Sequence, residues 1–100
     1  MVTRTKDGLY EFRFFCPRAR QVHIVGDFNG WDRTRNPMSR QHNGDWVAKM
    51  RLPEGAYQFK YHADGEWYVD YAAFGIENAV FGCNSVLVTE DREYAAFPVG

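Results

Sequence analysis

The chain has 100 residues and a formal net charge of −1 at pH 7. That length holds one domain with a modest core and leaves no room for a catalytic barrel beside an accessory module. The balanced charge, without a basic cluster or stripe, sets aside nucleic acid and anionic membrane as partners, and no stretch approaches the roughly 18 apolar residues of a spanning helix.

In chain order, the opening "MVTRTKDGLY" lacks the apolar run of a secretory signal, so a cytoplasmic setting is the expectation. "LYEFRFFC" alternates well enough for a strand, and "CPRARQ" interrupts it. "VHIVG" is a second strand, closed by Gly26. From Asp27 to Asp45 the chain is polar and turn-rich, with Asn-Gly at 29–30 and 43–44 and Asn-Pro at 36–37, which reads as loop with room for one short edge strand. "WVAKMRL" is a third strand whose Trp46, Ala48, Met50 and Leu52 fall cleanly on neither face. "AYQFKYHA" is the clearest period-2 run, Asp64-Gly65 is a tight turn, and "EWYVDY" returns. After a loop with Asn78 and Gly82, "SVLV" is the last strand. The tail "DREYAAFPVG" is either an added strand through Tyr94 and Phe97 or a frayed end.

Seven or so short strands at spacings of about 8–12 residues, with no sustained helical period, predict an all-β, immunoglobulin-like antiparallel β-sandwich. It would span residues 8–90, with 1–7 and 91–100 as terminal extensions. Cys16 and Cys83 show no metal-ligand spacing with His23, His42 or His62, so no metal or cofactor is expected and the thiols read as small buried side chains.

The Asp-Gly turn permits a geometric step. With Asp64 and Gly65 as turn residues, Ala63 pairs with Glu66, His62 with Trp67, Tyr61 with Tyr68 and Lys60 with Val69. Gln58, Lys60, His62 and Trp67 then share one face, while Tyr57, Phe59, Tyr61 and Tyr68 form an aromatic core face. A turn one residue longer would exchange the two sets. An indole among polar side chains suits neither a dry core nor an indifferent surface. The C–H faces of a pyranose stack on such a ring while edge hydroxyls bond to Lys, Asn or Gln. Covering about 100 Å² of apolar surface contributes about 2.5 kcal/mol gross per stacked ring. Trp31, following the "GDFNG" turn, is a second ring placed in a loop.

"VHIVGDFNGWD", then "LPEGAYQFKYHADGEW", then "GCNSVLV" resembles the family 48 carbohydrate-binding modules over about residues 10–89. That family includes the glycogen-binding domain of the AMP-activated protein kinase β subunit and the early-set domain of branching enzymes and isoamylases. The resemblance implies a non-catalytic sandwich of early-set type that binds α-1,4-linked glucan: glycogen, starch chains or cyclodextrin. It maps two stacking tryptophans to Trp31 and Trp67, a lysine to Lys60 and an asparagine to Asn84. Where the glycogen-binding kinase subunits carry a leucine and, two residues on, a threonine, this chain has Val80 and Gly82, which implies a weaker grip; Phe81 is the neighbouring apolar side chain.

Among other residues, Trp46 reads as core or rim, and Asp27 and Asn29 as turn-makers bonding nearby backbone N–H groups. His62 and Tyr71 are lesser candidates for the platform, and Gly26 and Gly55 read as backbone requirements. A second function stays open: a docking sandwich for an α-glucan enzyme or kinase-type partner, with weak or no sugar binding. Catalysis would need two carboxyls across a cleft; Asp64, Glu66 and Asp70 exist, but a small sandwich encloses little.

Overall fold

The computed structural model describes residues 1–70 and 84–89 in full and the backbone path of 78–81. One sheet has four strands in the order β1 (Val2–Arg4), β2 (Tyr10–Phe15), β5 (Asp45–Met50) and β4 (Ser39–Arg40). The other runs β3 (Val22–Gly26), β6 (Gly55–Ala63), β9 (Asn84–Thr89) and β8 (Asn78–Phe81), with β7 (Glu66–Tyr68) also on β6. All these pairings are antiparallel, and the all-β sandwich read from the sequence stands.

Period-2 alternation explains which faces meet. In the first sheet Tyr10, Phe12 and Phe14 lie opposite Met50, Ala48 and Trp46. The second sheet turns Val22, Ile24, Phe59, Tyr61 and Leu87 into the same core. Rings join across the gap: Phe12 meets Phe59 edge-on at 5.2 Å and 79°, and Phe14 stacks on Tyr61 at 4.6 Å and 16°. Such pairs contribute about 0.5–1.5 kcal/mol each beyond burial.

Several elements differ from the expectations. Val2–Arg4 forms β1, and Val2 is fully buried against the partner position of Phe12; three residues are too few to show a period. Trp46, Ala48 and Met50 share the core face after all, the contrast having been blurred by the apolar, half-buried Val47 between them. Residues 78–81, taken as loop, pair with β9. The returning hairpin strand stops at Tyr68, so the expected Lys60–Val69 pair is not in the ladder. The chain departs there because Asp70 turns inward, where its carboxylate accepts the Tyr61 hydroxyl at 2.6 Å and pairs with the Met1 amine. Cys16 is free but half-buried rather than buried, and its carbonyl accepts the Trp46 indole N–H at 2.8 Å. Tyr71, Gly82, Cys83 and the 91–100 tail lie outside the described residues.

β6 organises the second sheet. β3 occupies one of its edges along 59–63, while β9 and β7 lie end to end on the other, against 55–59 and 61–63. Gly26 permits the close approach of β3: a Cβ there would sit 2.5 Å from the Gln58 carbonyl oxygen and 2.7 Å from Phe59 Cβ.

Candidate functional site

Gln58, Lys60 and His62 project from one face of β6, at successive spacings of about 7 Å. The turn beyond them has both residues in the left-handed region, Asp64 at φ 47° and Gly65 at φ 86°. Asp64 also ties the turn down: its carboxylate accepts the backbone N–H groups of Arg20 at 2.9 Å and Gln21 at 3.0 Å. Those two bonds hold its carboxyl below the usual range. With the register so set, His62 opposes Trp67. The imidazole packs on the indole at 4.6 Å between centroids, and the Lys60 ammonium stands 5.8 Å from the indole centroid. Trp67 remains 42% exposed.

Trp31 reaches the same strand from the opposite edge. After Gly26 the chain makes a 3₁₀ turn over Asp27–Asn29, then takes left-handed backbone at Gly30 and again at Trp31, φ 60°. For a non-glycine residue that conformation costs about 1–2 kcal/mol. It is held by a Trp31 N–H bond to the Gly26 carbonyl at 3.0 Å and by Asn29. Asn29 is buried, accepts the Gly26 N–H at 3.0 Å, and donates to the Ile24 carbonyl at 2.9 Å and to Asn36 at 2.8 Å. It is thus the turn-maker the sequence suggested. Asp27 is not: its carboxylate bonds the Gln58 N–H of β6 at 2.8 Å and the Trp31 indole N–H at 2.9 Å. The ring of Trp31 is 37% exposed. Next to it, Asp32 accepts the N–H and hydroxyl of Thr34, which keeps its carboxyl below the usual range.

Asn84 begins β9, beside the end of β7, and its amide donates to Gln58 Oε1 at 2.8 Å. On β8, Phe81 pairs with Asn84 and Val80 with Ser85. The structure therefore brings Lys60 to Trp67 directly, and joins Trp31 to Asn84 through Asp27 and Gln58, with both groups meeting on β6. Val80 is placed only by its register, at the step of the buried Ser85. Gln58, His62 and Asp27 are neighbours of the candidate residues that the sequence did not single out. The first two were signalled by sharing a strand face with Lys60. For Asp27 the signal was an acidic residue directly after the last ladder position of a strand. A cavity of about 430 Å³ between residues 36–41 and β5 is lined by none of these residues except Asn36, the partner of Asn29.

Residues 11–94 match the family described as "Glycogen recognition site of AMP-activated protein kinase". The chain is 31% identical over 79 residues to 5'-AMP-activated protein kinase subunit beta-1 of Bos taurus, covering 79% of this chain and 28% of that protein. It is 32% identical over 79 residues to subunit beta-2 of Homo sapiens, with the same coverage of each. To the 1,4-alpha-glucan branching enzyme GlgB of Lactobacillus acidophilus it is 36% identical over 77 residues, covering 72% of this chain and 12% of the enzyme. The chain thus spans less than a third of the length of each of these relatives. A match of that extent, on this sandwich, places the chain in the glycogen-recognition family of AMP-activated protein kinase, the family 48 carbohydrate-binding modules.

Proposed function

We propose that this chain binds α-1,4-linked glucan without transforming it, stacking glucose rings on Trp31 and Trp67 while Lys60 and Asn84 bond the ring-edge hydroxyls. The observation that carries the reading is Trp67. A large ring is braced by His62 and Lys60 and yet left 42% in water, an arrangement that spends ordering without burial unless a ligand covers it. Two stacking rings, less the costs of ordering and association, correspond to a dissociation constant of millimolar to micromolar order. That strength suits reversible adhesion to a polymer with many equivalent sites. The family description and the name of the branching enzyme support a glucan as the ligand class, and a kinase-type or α-glucan enzyme partner, in a cytoplasmic setting, belongs to the same proposal.

The test is retention in glycogen-containing gels together with titration of tryptophan fluorescence by β-cyclodextrin. The wild type is retarded and its emission shifts; Trp67→Ala abolishes retention. A folded wild type that runs unretarded refutes glucan binding and favours the docking sandwich instead.

A further inference from the structure

We propose that Asp27 is a positioning residue that locks the Trp31 ring to the strand carrying the rest of the platform, a role that rests on the glucan-binding reading above. The β3–β6 ladder ends where Gly26 pairs with Phe59. Beyond it the Gln58 N–H has no β3 carbonyl to meet, and an orphaned strand N–H is costly unless something replaces that acceptor. Asp27 Oδ2 takes the place at 2.8 Å. Its other oxygen, Oδ1, accepts the Trp31 indole N–H at 2.9 Å. A carboxylate whose two oxygens hold separate N–H donors is fixed in plane and in reach, and such charge-assisted bonds are roughly twice as strong as neutral ones.

The two tryptophans are consequently held by different physics. Trp67 is braced through its ring by His62 and Lys60. Trp31 is held at its polar rim by a carboxylate that is itself bonded to the neighbouring strand. The link continues, because the side chain of the same Gln58 accepts the Asn84 amide at 2.8 Å. Three hydrogen bonds therefore run from the ring in the loop to the asparagine on β9. Because its N–H is engaged by Asp27, Trp31 meets sugar through its ring face alone. Without Asp27 the ring must be ordered anew each time ligand binds.

Ordering one such side chain weakens binding by about three- to tenfold. Asp27→Ala therefore weakens β-cyclodextrin binding by that factor when residue 31 is Trp, and has no effect in a Trp31→Phe background, where the phenyl ring has no N–H to hold. In the ligand-free protein, the Trp31 indole N–H signal in a ¹⁵N–¹H spectrum shifts and exchanges faster with solvent on Asp27→Ala. The Trp46 signal, whose N–H is bonded to the Cys16 carbonyl, stays in place and reports an intact fold. Should Asp27→Ala fail to fold, Asp27→Asn keeps one acceptor oxygen and gives an intermediate shift of the same signal. Equal losses of affinity in both backgrounds, or an unmoved Trp31 signal, overturn the proposal. A wild type that does not bind β-cyclodextrin removes the glucan reading alone, because the indole signal still decides the positioning role.

Discussion

The imidazole of His62 lies 4.6 Å from the indole of Trp67, centroid to centroid, inclined at 59°, and the two residues are directly opposed across the β6–β7 ladder. The contact limits rotation of an exposed ring at the moment a sugar would cover it. His62→Ala is expected to weaken β-cyclodextrin binding about three- to tenfold, as the indole regains freedom that binding must remove, with little effect on folding. Isothermal titration beside urea unfolding separates the two; a large loss of stability with unchanged affinity would assign His62 to the fold.

Gly26→Ala is expected to destabilise by about 1–3 kcal/mol, the range for overpacking a tight site. The new methyl would meet the Gln58 carbonyl oxygen at 2.5 Å and Phe59 Cβ at 2.7 Å, atoms of a central strand that have nowhere to yield. The backbone at Gly26 is extended, φ −175°, so the effect is contact and not strain. A lower urea midpoint at unchanged slope is the signature.

Asp64 yields a pH dependence. Its carboxyl is held below 3.8, first by the Arg20 N–H and then by that of Gln21. A carboxylate depressed on folding stabilises above its unfolded pKa, and that contribution disappears as pH falls through the folded value. Thermal melts of the wild type and Asp64→Asn should therefore differ by a constant amount between neutral pH and about 5, and converge below about 4.

Tyr61 acts at the other end of the scale. Burial, then the charge of Asp70 and the hydrogen bond to it, raise the phenol well above 10.0. The associated stability is present below the unfolded value and is lost as pH climbs beyond it. Tyr61→Phe is expected to cost about 1–3 kcal/mol at pH 7, since the buried Asp70 carboxylate loses a donor, and the deficit should shrink in alkali. Urea unfolding at pH 7 and pH 10.5 checks both halves.

The hairpin was legible because its information is local. Asp64-Gly65 sets the turn, the turn sets the register, and alternation then assigns a face to Lys60, His62 and Trp67 without knowledge of any other strand. Asn84 and Trp31 could be named by resemblance, but what holds them could not. Asp27 and Gln58 are 31 positions apart, and Gln58 and Asn84 are 26 apart, so those bonds exist only once β3, β6 and β9 are side by side. The role of Asp70 was hidden for the same reason: nothing in "EWYVDY" shows that its carboxylate will accept the Tyr61 hydroxyl while its backbone N–H meets the Ser85 hydroxyl, 15 positions on. β1 escaped notice because burial of Val2 depends on its neighbour strand, not on its own three residues.

The left-handed turn at Trp31 has a consequence for how this loop can drift. The conformation disfavours a branched or bulky residue by about 1–2 kcal/mol, so part of what the indole–Asp27 bond contributes goes into holding the ring's own backbone. Glycine would relax the backbone at once. It would also remove the ring and with it the bond to Asp27, so backbone ease and an anchored indole compete for this one position.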